Sequence, residues 1–445
     1  MAEVRSAVPA EEEEARLRDY GFLLFLTLLN VMNFVDRQLL GSFANWIMPD
    51  LNLSATEFGL LTGLVFIFFY SFMGLFMGAL VDMFNRTRLI AAGLALWSVL
   101  TALSGRATNF ATLAIPRMFI GVGESIMTPG AMSLLSDRFP SARLGLASGI
   151  YYMGVPIGVA CSLFIVAYLE PLLGWRGCFY LLGAVGVGLA IIMLFMKETP
   201  RRHAQEVTEQ PAVEKPSFGE ILKTLMGALR QSPALTMTIG GGVAFHFVLG
   251  AATFDQVWYV QERGFDRSEI AEISAWLGFF GGILGNLFGG AGGDAFLRKT
   301  GMGRPMFLFW IMIILAPINI AYRLVDPSSI WFMVGIFIGF FQLGCFYGPT
   351  FSTVQELVPP KIRGTVVAFY ILSLNFVGLG IGVTLGGITI DYISASGGED
   401  PYTVTLFTFT LLSMLAIPLF YFAGRRFDQD REALFAREEE LAQRG

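Results

Sequence analysis

The chain is 445 residues long, 54% hydrophobic and 15% charged, with a net charge of −5 and a mean hydropathy of +0.62. Soluble globular chains hold roughly 45–50% apolar and about 25% charged residues, so this composition excludes an ordinary soluble domain and points to a membrane. The acidic balance argues against nucleic acid as a partner, which needs a basic face. Cys161, Cys178 and Cys345 lie in apolar segments without ligand spacing, so no disulfide framework, metal site or cofactor is expected.

The first 19 residues are polar and acidic, with Glu11 to Glu14 as a solvated run. They lack the basic-then-apolar layout of a signal peptide and read as a cytoplasmic tail. Twelve apolar stretches follow, each near the ~20 residues that cross a bilayer. They cover 20–46, 55–81, 88–105, 109–136, 143–168, 174–196, 234–260, 269–293, 304–323, 329–356, 363–391 and 402–424. The longest interruption, 198–232, starts as a linker with Pro200, Pro211 and Pro216. It then sets Phe218, Ile221, Leu222, Leu225, Met226 and Leu229 on one helical face, the pattern of a helix lying on the membrane surface. The linker separates an N-terminal six-span bundle, 20–197, from a C-terminal one, 233–424, with a tail at 425–445. The expected fold class is all-α: twelve transmembrane helices in two pseudo-symmetric six-helix bundles. With the N-terminus inside, 23 of the 30 Lys and Arg fall in cytoplasmic segments. Five (Arg106, Arg176, Arg263, Arg267, Arg323) fall in external loops and two (Arg37, Arg117) within spans. That bias predicts a multi-pass protein of the cell membrane, the inner membrane in a bacterium, with both termini cytoplasmic.

Span one carries an adjacent acid and base, Asp36-Arg37. An ionisable residue deep in a span costs at least ~2.5–3.5 kcal/mol, so such residues are buried, paired or working on a substrate path. Asn30, Asn33 and Arg37 share a helical face, with Asp36 about 100° away. In the functional reading Asp36 is a protonatable carboxylate, and Arg37, with Asn33, grips an anionic head group through its planar fork. The alternative is a structural or gating ion pair without ligand contact. In span four, Arg117 and Glu124 are seven residues apart and lie on one face. Spans one and four run in opposite directions, which makes Arg37 and Glu124 candidate partners across the bundle. Ligand phosphate or a proton would then displace that pairing; permanent helix-to-helix pairing is the other reading. Arg117 fits a structural role or a substrate contact equally.

The halves echo each other. GALVDMFNRTRLI after span two matches GGAGGDAFLRKTG after span eight, both with Gly four residues before Asp (Gly78-Asp82, Gly290-Asp294) and basic residues after. PSARLGLASG after span four matches PPKIRGTVVAF after span ten, so Arg143 and Arg363 are equivalent. Parallel six-span repeats around a central site are a transporter arrangement. The glycines of span eight, Gly278, Gly281, Gly282, Gly285 and Gly289, read as helix-packing positions. Within the C-terminal spans stand His246, Asn286, Gln342, Tyr347 and Asn375 but no mid-membrane Arg or Lys, and Asp255, Glu356 and Asp391 fall near span ends. His246 could titrate near neutral pH, or be a hydrogen-bonded core residue. A ligand between the halves would meet charge on one side and hydrocarbon, with Tyr347, on the other.

In these motifs the chain resembles the major facilitator superfamily along essentially its whole length. Gly78-Asp82-Arg86-Arg88 is similar to the family's signature between spans two and three, with Met83 where a basic residue is usual and Asn85 where Gly is. Arg117-Met-Phe-Ile-Gly121-Val-Gly123-Glu124 resembles its span-four motif, and Gly149 to Gly158, with Pro156, its span-five motif. Gly174-Trp175-Arg176 and Glu198-Thr199-Pro200-Arg201-Arg202 resemble runs that members carry at the ends of span six. Asn33-Phe34-Val35-Asp36-Arg37-Gln38 and RMFIGVGESIMTP, from Arg117 to Pro129, resemble the spinster-like lipid transporters. That resemblance implies sphingosine-1-phosphate or lysophospholipid as cargo, and protons as a coupling ion. It also implies a gating role for Gly78, Asp82, Arg86, Arg88, Asp294, Arg143 and Arg363.

The sequence therefore leads to a secondary transporter, expected to be monomeric, moving an amphiphilic anionic lipid by alternating access. Substrate contacts are expected from Arg37, Asn33, Glu124, Arg117 and Tyr347, proton coupling from Asp36, Glu124 or His246, and membrane lipids as surroundings. The competing readings are a proton-coupled exporter of amphipathic drugs and a symporter of small organic anions. No constellation of His, Cys or carboxylates supports an enzyme, and no filter-like repeat supports a channel.

Overall fold

The computed structural model describes residues 17–201, 218–359 and 362–444, and its regular elements are helical throughout the described residues. Among the described residues, eleven helical stretches are long and apolar enough to cross a membrane. One of them, Arg143–Phe195, is broken at Gly174, whose φ of 66° and ψ of 165° interrupt the helix, and supplies spans five and six. The twelve spans are Leu17–Ser42, Ala55–Gly78, Arg86–Ser104, Phe110–Arg138, the two parts of Arg143–Phe195, Pro233–Gln261, Arg267–Thr300, Arg304–Ala321, Ile330–Glu356, Arg363–Ala395 and Pro401–Ala436. They are numbered one to twelve below. The face where both chain ends emerge is called the terminal face, and the opposite one the far face.

Local sequence explains where several spans begin. Ser54 and Glu57 form a reciprocal capping box at the start of span two, and Asn109 with Thr112 forms one at span four. Asp266 accepts from the backbone N–H groups of Ser268 and Glu269 at span eight. Each cap satisfies amides that have no intrahelical partner. At the terminal face Phe218–Gln231 forms the short helix read from the linker, with Leu225 buried and Met226 exposed. The rest of that linker, 202–217, lies outside the described residues. The stretch read as a C-terminal tail continues span twelve as helix Ala416–Arg444. Its Asp430 accepts from Ser232 Oγ at 2.8 Å and Ala234 N at 2.7 Å, capping span seven.

Each half has its own core, around Trp97, Phe139 and Tyr151 in the first and Phe346, Tyr370 and Phe420 in the second. A third cluster joins the halves at the far face, where Phe58 meets Phe254 at 5.9 Å between ring centroids. Lipid removes most of the hydrophobic drive between helices, so close approach of small residues does much of the packing. Span eight shows this: a Cβ on Gly285 would stand 2.1 Å from the Phe341 carbonyl oxygen, and one on Gly289 2.5 Å from the Cys345 Cα of span ten. Spans two and eleven meet the same way, with a Cβ on Gly387 falling 2.2 Å from the Ala55 carbonyl oxygen.

Among the described residues, the hydrogen bonds between the halves all lie at the far face. Asn45 donates to the Gln256 carbonyl at 2.7 Å, Asp391 accepts from the Ala55 and Thr56 amides at 3.0 and 2.8 Å, and Tyr168 donates to Glu272 at 2.5 Å. The halves are thus closed on each other there.

Candidate functional site

Between the bundles lies a cavity of about 330 Å³. Arg37, from span one, enters it beside Phe34, Gln38, Phe66 and Tyr70. Its guanidinium donates to Glu124 Oε2 through Nε at 3.3 Å and through Nη2 at 3.2 Å, and reaches Asn33 Oδ1 at 3.5 Å. The Arg37 side chain keeps 17% of its exposure and that of Glu124 none, so the arginine faces the cavity and the carboxylate stands behind it. Aromatic faces enclose the cation: Tyr70 at 4.3 Å, Phe34 at 4.8 Å and Phe66 at 5.4 Å from the guanidinium carbon. Such faces attract a cation without supplying a counter-charge, so the guanidinium remains able to take an anion.

The other N-terminal residues singled out in the sequence support Arg37 from behind. Arg117 donates to the backbone carbonyls of Asp36 at 3.4 Å and Arg37 at 2.9 Å, and lies over the Phe66 ring at 4.5 Å. It therefore holds the backbone of span one, and neither it nor Glu124 nor Asn33 lines the cavity. Asp36 turns away from the cavity, accepts from Thr101 Oγ1 of span three at 2.6 Å, and is buried within the bundle. Buried and without partners here are Asn33 Nδ2 and Glu124 Oε1, a half-satisfied polar cluster in a low-dielectric interior.

In the C-terminal half, His246 and Tyr347 both line the cavity and touch each other. His246 Nδ1 donates to the Gly242 carbonyl at 2.9 Å, which leaves Nε2 to accept from the Tyr347 hydroxyl at 3.4 Å. Span eleven passes this pair as a π-helical stretch, Ser373–Gly380, which brings Asn375 and Leu379 to the cavity wall. Single π turns inside α-helices recur at functional sites.

Asp255 and Arg323 stand elsewhere than their places in the sequence suggest. Asp255 was expected at a solvated span end and Arg323 in an external loop, leaving the C-terminal wall without charge. Both line the cavity instead, and Arg323 Nη1 donates to Asp255 Oδ1 at 2.6 Å. Span nine stops at Ala321, and the guanidinium folds back over Tyr322 at 4.5 Å and Trp258 at 4.8 Å. The Asn319–Gln342 hydrogen bond adds a further polar patch to the same wall. Asp255 stands only six residues before the end of span seven, so its position alone could not tell a solvated acid from an inward-facing one.

At the terminal face the motif residues separate. Arg86, 1% exposed, ties spans three, four and six: it donates to Glu198 Oε1 at 2.8 Å, to Ser133 Oγ at 2.9 Å, to the Thr199 carbonyl at 2.6 Å, and pairs with Asp137. The second half repeats the device, with Arg304 pairing Asp294 at 2.8 Å and Glu356 at 2.6 Å. Arg86 and Arg304 are each the first residue of spans three and nine, so the internal repeat extends to an arginine that sequence comparison of the loops did not align. Arg88 is exposed, Arg143 donates to the Tyr20 hydroxyl at 3.1 Å, and Arg363 to the Gln355 carbonyl at 3.0 Å. Gly78 has open space around it, and the side chain of Asp82 lies outside the described residues.

Twelve spans in two pseudo-symmetric bundles, closed at one face around a partly charged central cavity, define a multi-pass membrane transporter. The chain belongs to the Major Facilitator Superfamily, whose family model matches residues 26–379. It is 26% identical to an MFS-type efflux pump of Mycolicibacterium smegmatis over 91% of this chain and 92% of that protein. It is 26% identical to the hexuronate transporter of Bacillus subtilis, covering 88% and 93% of the two chains. Protein spinster homolog 1 of Xenopus laevis is 23% identical over 86% of this chain and 78% of its own length. Among solved structures, a bacterial homologue of the human lysosomal transporter Spinster, in an inward-facing and occupied conformation, superposes with a TM-score of 0.76 at 25% identity, covering 93% of this chain and 98% of that one. The relatives are transporters, not enzymes, and so is this chain.

Proposed function

We propose that the protein carries an amphiphilic anion, of the lysophospholipid or sphingoid-phosphate kind, by alternating access through the central cavity. The observation that carries this reading is Arg37. It is a cavity-facing guanidinium with fork geometry suited to phosphate, held by Glu124 and boxed by aromatic rings. Across the cavity stand Phe245, Val248, Leu249, Phe340 and Leu343, which suit the first part of an apolar chain. About 330 Å³ is at the small end of ligand cavities, so the cavity encloses the head group and leaves the chain to extend toward the terminal face. Incoming phosphate competes with Glu124 for Arg37, and Asp36, Glu124 and His246 are the groups that would exchange protons as the pairing changes. The Arg86 and Arg304 clusters, with Asp82, Arg88, Asp294, Arg143 and Arg363 around them, then hold or release the terminal face. In this reading the protein is a monomer of the cell membrane with its terminal face cytoplasmic, and the closed far face is the external one.

A second reading is favoured by the polar patch at Asn319 and Gln342, together with the likeness to the hexuronate transporter. In it the cargo is a small organic anion without a tail. Purified protein titrated with a lysophospholipid and with glucuronate separates the two. Saturable lysophospholipid binding with none for glucuronate is expected, and the reverse would replace the lipid with the small anion.

A further inference from the structure

The Asp255–Arg323 pair has no part in the transport reading so far, and its position is costly. Asp255 lies about 9 Å, six residues of helix rise, below the end of span seven. A buried ion pair seldom repays the desolvation of both charges, so packing alone gives it little reason to be there. The surroundings are built around the arginine: Trp258 and Tyr322 cover its face, it is 2% exposed, and its Nε is buried without a partner. The side chain of Asp255 keeps 19% of its exposure against 3% for Arg323. Both side chains border the cavity, and the carboxylate is the more exposed of the two.

The pair also sits at a break in its helix. Span seven runs as an α-helix to Ala251, tightens to a 3₁₀ turn at Ala252–Phe254, and resumes at Asp255. On this turn a Cβ at Gly41 of span one would lie 3.4 Å from Thr253 Cγ2. Gly41 is four residues, one helical turn, beyond Arg37 on the same face. Arg37 and Asp255 thus border one cavity from opposite halves and carry opposite charges.

We propose that Asp255, oriented by Arg323, accepts the cationic group of the transported molecule while Arg37 holds its anionic group, so that the site selects zwitterionic amphiphiles over plain anions. The inference rests on the amphiphile reading above and adds the chemical class of the head group: a phosphodiester followed by an ammonium. Because the two contacts come from different halves, only a ligand with both groups links the bundles through its head. Asp255 is then a specificity residue and Arg323 its positioning partner.

The test uses full-length protein in lipid nanodiscs and two lysophospholipids with the same acyl chain and the same phosphodiester charge. Lysophosphatidylethanolamine carries the ammonium and lysophosphatidylglycerol does not. The wild type should bind the first at least ~10-fold more tightly, a difference of about 1.4 kcal/mol. Asp255→Asn should reduce the ratio to within about threefold. The double variant Asp255→Asn with Arg323→Gln removes both charges together, leaves none buried alone, and should give the same reduced ratio. A wild-type ratio near one, or a ratio kept in either monodisperse variant, overturns the inference while leaving the lipid reading intact. Absence of binding by both lysophospholipids to the wild type overturns the lipid reading and this one with it.

Discussion

Arg37 connects what the sequence makes visible to what the site can do. Replacing it with Gln leaves Glu124 buried without its hydrogen-bonded cation, and because Arg37 is itself partly exposed the cost falls below the ~3–5 kcal/mol of a fully buried pair. The variant should melt several degrees lower, and its affinity for a phosphate-bearing ligand, measured by calorimetric titration, should fall at least ~30-fold. Arg37→Lys keeps the charge but loses the fork, and should lie between the two. Asp36 belongs to a different compartment of the same bundle, hydrogen-bonded to Thr101 at 2.6 Å. Asp36→Asn keeps that partner while removing a titratable proton, and should flatten any dependence of transport on pH. A pH profile unchanged from wild type would move the proton to Glu124 or His246. At this scale the charged residues of spans one and four were legible because an ionisable residue in an apolar run stands out. Which of them faces the cavity was not, since the 100° step between Asp36 and Arg37 leaves open which side points inward. Arg323 was hidden for another reason: a long side chain at a span end can reach back by several ångströms, and residue position does not record that.

Helix junctions carry the next set of consequences. Gly174 separates spans five and six with φ of 66° and ψ of 165°, a region essentially reserved for glycine, and nothing lies within 4 Å of a Cβ built there. Gly174→Ala therefore tests backbone strain alone and should cost ~1–3 kcal/mol, read as a lower melting temperature with ligand affinity unchanged. Beside it Trp175 Nε1 donates to Asp50 Oδ2 at 2.9 Å and Arg176 pairs with the same carboxylate, which holds the Asp50 carboxyl below the usual carboxylate range. That contact adds stability above the ordinary Asp pKa and loses it as pH falls through the lowered value. Gly387 tests the far-face closure instead. A Cβ there meets a backbone carbonyl oxygen at 2.2 Å, and backbone cannot swing aside. Gly387→Ala should push spans two and eleven apart, widening spin-label distances across the far face; unchanged distances would mean that the contact does not hold the face shut. The span-eight glycines were readable from their spacing. The π-helical stretch of span eleven and the 3₁₀ turn of span seven were not, because the glycines beside them, Gly378, Gly380 and Gly250, read equally as packing positions in continuous helix.

For the whole molecule, the twelve-span arrangement and the family membership were readable early, since length, apolarity and the repeated loops are properties of the chain as a string. The charge balance of the cavity required three dimensions: an N-terminal wall centred on Arg37 and a C-terminal wall that is apolar beside it but charged at Asp255 and Arg323. Alternating access needs that cavity to be closed at one face and then at the other, and the far-face hydrogen bonds among Asn45, Gln256, Ala55, Thr56 and Asp391 mark one of those closures. The most direct test of the account is transport of a fluorescent lysophospholipid by purified protein in liposomes, compared between wild type and Arg37→Gln. The account predicts protein-dependent, saturable movement in the wild type and at least ~30-fold slower movement in the variant. Movement equal in both, or none in the wild type while glucuronate is carried, would contradict it.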